Sequence, residues 1–413
     1  MKQFLLLAEQ AFAVLALLLF TGALLPVLYQ IRTGQHAGNS LEGNIDIIIC
    51  FFIIYIISLL LLILRWKKVI FVVPKTKLLL VLVGLALASV LWSAAPDITL
   101  RRSFALLGTT LFGVYLSTRY SLNEQFRLLT WALSTAIILS ILFALLLPTY
   151  GIHQGEVFSG LWKGIYIHKN TLGRTMGFSL YVFSLLAFWG GKSRWIGWTG
   201  CSLATALIVL SSSVTPVFSS LTVLALLPLY SILRWRHTLT FFFFIMALIV
   251  NAVGSALLVG QMAALLGVFG RDLTFTGRTQ LWTVLVEMIQ KRPWLGYGYT
   301  AFWLGGQSED AQVWVAIPWH PDYAHNGYLD LALQVGLVGL FIFGLDFFLN
   351  FFRAATLAAA TDHAAGMFPL AFLTFVLPFS ITESMILKQN DIFWVLYVSV
   401  SLSMIIQPVK VKI

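Results

Sequence analysis

Residues 47–64 read IIICFFIIYIISLLLLIL, carry no charge, and are followed at once by Arg65, Lys67 and Lys68. A bilayer core about 30 Å thick is crossed by a helix of about 20 apolar residues. Hydrocarbon offers no partner to backbone N–H and C=O groups, so a run of this kind satisfies them within itself and is a helix. Comparable runs recur at Phe12–Tyr29, Leu78–Trp92, Phe104–Leu116, Leu128–Leu147, Met176–Trp189, Ile196–Leu210, Val217–Leu233, Phe241–Leu258, Tyr328–Phe348, Met367–Ile381 and Ile392–Ile406. The pattern predicts an all-α polytopic membrane protein with about 12 transmembrane helices.

Composition leaves room for little else. The 413 residues are 59% hydrophobic and 10% charged, whereas a water-soluble domain needs far more charge to cover its surface. A single transmembrane domain over residues 1–413 is expected. The net charge of +10 does not point to nucleic acid, because the basic residues sit in short clusters between apolar runs instead of along one polar face. Cys50 and Cys201 each lie inside an apolar run without a CxxC partner, which argues against a disulfide framework or a thiolate metal site. The first run lacks a small-residue cleavage site and reads as a retained helix.

With a cytoplasmic amino terminus, the short loops holding Arg65 to Lys77, Arg119 and Arg127, Lys192 and Arg194, Arg234 and Arg236, Arg353, and the tail with Lys410 and Lys412 fall inside. That is the positive-inside pattern, and it places both termini in the cytoplasm. The long loop from Val259 to Ala324 then lies outside. Within it Leu281, Trp282, Leu285, Met288 and Ile289 recur at helical spacing before Pro293, which predicts an amphipathic helix over Thr279–Gln290 lying on the membrane surface. A lid packed on the bundle is the alternative.

Three outer segments are rich in polar groups: WSAAPDITLRR (92–102), WKGIYIHKNTLGR (162–174) and WHPDYAHNGYLD (319–330). One site can gather them, together with Gly277 and Arg278. Its chemistry is cationic, with few carboxylates, and Arg forks and Lys point charges suit phosphate oxygens. Arg278 opens the loop helix, where free N–H groups also favour an anion. Arg102, His168, Lys169 and Arg174 are further candidates, against the alternative that each is a lipid-headgroup contact. His325 stands at the mouth of a span beside Asn326, a further candidate substrate contact, and an imidazole can take a proton from an attacking hydroxyl. Glu383, alone at an outer helix end, can orient an Arg or His. A metal site from His320, Asp322 and His325 is the competing idea, disfavoured because Pro321 prevents one helix from presenting both histidines.

At these residues the chain resembles the O-antigen ligase and polysaccharide polymerase superfamily. His325, Asn326, Gly336 and Gly339 reproduce its HN-x9-GxxG pattern, and Gly277, Arg278 and Trp282 with RPWLGYGYTAFW (292–303) look like its GR...W...RPxxGxGxxxF segment. LWSAAPDITLRRS (91–103) and HKNTLGR (168–174) are similar to the exopolysaccharide-production branch. The resemblance implies a GT-C-like membrane glycosyltransferase with one large periplasmic loop. It implies an inverting reaction, independent of metal and cofactor, on an undecaprenyl-diphosphate-linked oligosaccharide. The acceptor would be a growing glycan or lipid A core, with membrane lipids and other polysaccharide-assembly proteins as partners. By that resemblance His325 activates the acceptor hydroxyl, Arg278 binds the diphosphate, and Lys169 or Arg174 supplies a second cation. The exopolysaccharide-like segments favour a polymerase over a ligase. A transporter or flippase of a lipid-linked anion is the non-enzymatic alternative, but it calls for midplane polar residues and repeated halves that the chain does not display.

Overall fold

A computed structural model describes residues 2–34, 43–154, 158–213, 246 and 274–406. The expected spans at 217–233 and 241–258, the start of the long loop and the basic tail lie outside the described residues. The described helices are α1 Lys2–Phe20, α2 Leu25–Thr33, α3 Ile45–Ile63, α4 Trp66–Val72, α5 Lys77–Ala88, α6 Pro96–Arg119, α7 Leu122–Leu146, α8 Pro148–Gly151, α9 Lys169–Trp189, α10 Arg194–Leu210, α11 Thr274–Lys291, α12 Ala311–Ala316, α13 Gly327–Ala359, α14 Ala364–Thr382 and α15 Ile392–Ile406. The protein is an all-α polytopic membrane protein. By length and hydropathy, six described helices can cross a bilayer, or seven if the pair 66–75 and 77–91, bent by 91°, is one span. Helix α6 is long enough, but Gly108, Thr109, Thr110, Gly113, Ser117 and Thr118 dilute its apolar stretch.

Two expectations are corrected. The first apolar run is not one helix from Phe12 to Tyr29. Helix α1 ends at Phe20 and α2 begins at Leu25, because Gly22 (φ 82°) and Leu24 (φ 66°) turn the chain left-handed and Leu24 donates its N–H to Ile165 O at 2.9 Å. The loop helix α11 does not spend its apolar stripe on lipid. Leu281, Leu285 and Met288 are buried in a second core with Tyr297, Phe302, Val313, Ile317 and Leu333, so the stripe is satisfied by the rest of the loop and by α13.

Close helix approach organises the bundle. Gly113 of α6 faces α15 so tightly that a Cβ there would lie 2.8 Å from Val398 Cβ, and one at Gly108 would meet the Tyr55 ring at 2.4 Å. Small residues perform this role where no hydrophobic effect separates helix from lipid. Helix α14 runs through the middle, with 94% of its most apolar stretch buried.

Helix α13 is broken at Gly336, whose φ of 70° and ψ of −174° are non-helical. The break leaves backbone groups that hydrocarbon cannot satisfy, and the segment 293–298 takes them up. Tyr297 and Gly298 donate N–H to Leu333 O and Gln334 O at 2.7 and 3.0 Å, while Pro293 O accepts from Leu337 N at 2.8 Å. The RPxxGxG segment and the GxxG element are therefore two halves of one joint. The 92–102 segment braces it: Trp92 Nε1 donates to Leu295 O at 3.0 Å, Ala94 N to Tyr297 O at 2.8 Å, and Thr99 Oγ1 to Tyr299 O at 3.0 Å.

Candidate functional site

The polar segments singled out in the sequence meet at one cavity of about 1460 Å³. Its apolar walls come from α3 (Phe51, Phe52, Ile56, Leu59) and α6 (Leu107, Leu111). Its polar end is built by Arg101 and Arg102 at the start of α6, by Lys163, His168 and Arg174, by Trp319 to Tyr323 with His325, and by Glu383. A fourth wall, Lys388 to Asp391 between α14 and α15, was missed in the sequence. Its signal was the polar run KQND between two apolar spans.

His325 is held rigidly in an unusual conformation, with φ at 49°. On one side Asn326 caps α13, its Oδ1 accepting from Tyr328 N at 3.0 Å and Leu329 N at 3.2 Å. On the other side Ala324 N is held by Asp330. The ring lies 3.9 Å from that of Tyr323 and 5.5 Å from that of Trp319. Its Nδ1 is buried and makes no hydrogen bond among the described residues. Burial, with Arg278 and Lys388 adding positive charge nearby, holds the imidazole down at about 3, so His325 is neutral at working pH. Asn326 is spent on the cap and does not line the cavity.

The candidate cations divide. Arg174 lines the cavity, pairs with Asp391 Oδ2 at 3.2 Å, lies over the Phe393 ring at 5.4 Å, and has a buried Nε without a hydrogen bond among the described residues. Arg102 lines the cavity too and donates to Thr300 O at 3.0 Å. Arg278 is buried behind the wall, donating from Nη1 to Thr382 O at 3.1 Å, close enough to act on His325 by charge but not among the lining residues. Lys169 is also off the wall, its ammonium 4.9 Å from the centre of the Phe158 ring. Of the two mid-chain candidates, Arg174 is the one that the cavity exposes.

His168 caps α9 through Nδ1, accepting Asn170 N at 3.2 Å, and stacks edge-on to His153 at 5.1 Å. Burial pushes both imidazoles down to about 4, with Lys163 and Lys169 contributing to each. Glu383 ends α14 on the cavity wall, where its charge acts on Arg174 and Tyr323. His320 is stacked on Trp314 at 4.7 Å, and among the described residues no three of His, Cys, Asp and Glu are placed to share a metal ion.

Two comparisons bear on this geometry. The O-antigen ligase family profile matches residues 199–344, which include Arg278, His325, Gly336 and Gly339. The exopolysaccharide production protein ExoQ of Rhizobium meliloti (strain 1021) is 28% identical over 278 residues, covering 65% of this chain. That match spans 62% of the relative's own length.

Proposed function

We propose that this chain, a member of the O-antigen ligase and polysaccharide polymerase superfamily on its exopolysaccharide-production branch, joins undecaprenyl-diphosphate-linked glycans at the periplasmic face of a bacterial inner membrane. The observation that carries the reading is the two-ended cavity, with an apolar channel along α3 and α6 leading to Arg174, Lys388 and His325. A polyprenyl diphosphate has the same division, an apolar tail and an anionic head.

In the proposed step an acceptor hydroxyl attacks the anomeric carbon. The bond from that carbon to the phosphate oxygen breaks with its electrons, giving inversion and a free polyprenyl diphosphate. His325 takes the hydroxyl proton, since it lines the cavity and is neutral at working pH. Fixed cations stabilise charge as it develops on the leaving group. They also tune the base: an anion bound at Lys388 on the cavity wall offsets part of the positive charge that depresses His325 and strengthens it when substrate is present. This description needs no metal-dependent step.

A transfer assay tests it, with detergent-purified protein, a lipid-linked oligosaccharide and gel analysis. A ladder of products identifies a polymerase, which the exopolysaccharide-like segments favour, and a single transfer to lipid A core identifies a ligase. His325→Ala should lower turnover about 100- to 10,000-fold with donor affinity retained, whereas Arg278→Ala should weaken both. A wild-type rate in His325→Ala removes the base from the mechanism. Absence of any glycosidic product, with movement of the lipid between leaflets of a vesicle, would instead favour a flippase.

A further inference from the structure

Lys163 is not used by this mechanism, yet its setting is that of a ligand-binding residue. It is 9% exposed and lies on the cavity wall. Its backbone is fixed at both ends: Lys163 N donates to Gly151 O at 2.9 Å and Lys163 O accepts from Tyr166 N at 3.1 Å, while a bridge pairs Ile152 with Trp162. Gly164 (φ 57°) presses against α7, where a Cβ would come within 2.6 Å of Ser140 Oγ. Against this rigid support the ammonium makes no hydrogen bond or ion pair among the described residues. Burial lowers its pKa, and no carboxylate among the described residues raises it again. The buried acid of the cavity wall, Asp391, is already paired with Arg174.

A charge on a largely buried side chain is costly unless something pairs with it, and the neighbouring imidazoles offer no free acceptor, since His153 Nε2 accepts from Lys169 N and His168 Nδ1 from Asn170 N. We infer that Lys163 forms an anion-binding subsite on the same cavity wall that carries Arg174, and that it holds an anionic oxygen of the substrate. Two sources share this chemistry, the diphosphate of the lipid carrier and a carboxylate on the glycan. The inference rests on the glycan-transfer reading for the identity of that ligand, but the subsite itself is read from the wall.

Binding to full-length protein in detergent tests it with two probes, farnesyl diphosphate and a uronate-bearing oligosaccharide. Lys163→Met should weaken one of them about ten- to a hundredfold, the range of one charge-assisted contact. Lys163→Arg should stay within a few-fold of wild type. Loss confined to farnesyl diphosphate assigns the diphosphate, and loss confined to the oligosaccharide assigns a glycan carboxylate. Because an unpaired charge is removed, unliganded Lys163→Met should melt no lower than wild type. If it does not fold, Lys163→Gln, uncharged and polar, takes its place. Wild-type affinity of either folded variant for both probes overturns the subsite. Reduced probe binding by the variant in a protein that forms no glycosidic product leaves the subsite standing and removes the transferase reading.

Discussion

Asp330 accepts the backbone N–H of Ala324 with both carboxylate oxygens, at 3.1 and 3.2 Å. The same carboxylate receives Trp303 Nε1 at 2.7 Å and the Ser384 hydroxyl. It thereby ties the residue before His325 to the first turn of α13, to the loop and to the end of α14. A left-handed, non-glycine backbone persists only where its surroundings over-determine it, and Asp330 on one side with Asn326 on the other does so. Asp330→Asn puts an amide N–H₂ where donors converge. The expected result is a kcat about 10- to 100-fold lower with donor affinity within about threefold of wild type, and a melting temperature reduced by the equivalent of about 1.5–3 kcal/mol. An equal loss in donor affinity would show that Asp330 shapes the binding wall and not the turn that carries the base.

The pH dependence follows from three depressed histidines. His325 is held at about 3, and His153 and His168 at about 4, against an ordinary value near 6.5. In the free enzyme His325 is already deprotonated above about pH 4, so kcat/KM should show no acid limb near 6.5. The limb on kcat should lie higher, because bound diphosphate raises the base. Stability has its own sign. Below about pH 6.5 the unfolded chain binds protons that the folded chain refuses, so stability is full above that value and falls as pH drops toward 4. Thermal melts of wild type and of His153→Gln with His168→Gln, between pH 4 and 8, check this. A stability that rises as pH falls would contradict the neutral state of these rings.

The crossing pattern can be tested by labelling. An exposed thiol introduced at Gln307, in the loop between α11 and α12, should react with a membrane-impermeant reagent in intact cells whose outer membrane has been opened. Cys50 and Cys201 are free thiols inside helices α3 and α10 and serve as unreactive background. Labelling of Gln307→Cys only after the inner membrane is breached would place the cavity's polar end in the cytoplasm and exclude a periplasmic reaction.

Hydrophobic runs announced most of the long helices on the described residues, because crossing a bilayer imposes a length and a composition that a sequence displays directly. What they did not announce were the turns. The break at Gly22 follows from a hydrogen bond to Ile165, far away in the chain. The amphipathic stripe on α11 was visible, but a stripe does not say whether lipid or protein covers it. At the site, His325, Arg174, Arg102 and Glu383 were legible as polar groups at one membrane face, and the structure brings them to one cavity. Lys388 was not, since a lone lysine between two spans reads as topology. Asn326 was read as a substrate contact from its place beside His325, and its side chain instead closes the first turn of α13.

Gly336 offers the sharpest separation of packing from chemistry. A Cβ there would lie 2.1 Å from Trp294 O and 2.5 Å from Leu295 N, both backbone atoms of the segment that repairs the break, so neither can move aside without losing the hydrogen bonds from Leu337 and Val338. The conformation adds to this, since a φ of 70° with a ψ of −174° lies in a region open essentially only to glycine. Gly336→Ala should therefore cost about 3 kcal/mol or more, seen as a collapse of monodisperse yield in detergent. Gly344 is the control on the same helix, because a Cβ there meets nothing within 4 Å, and Gly344→Ala should be neutral or stabilising by up to about 1 kcal/mol. The comparison is folded yield and melting temperature of the two variants side by side. If Gly336→Ala folds as well as Gly344→Ala and still transfers glycan at the wild-type rate, the joint between 293–298 and α13 is not what requires glycine at this position.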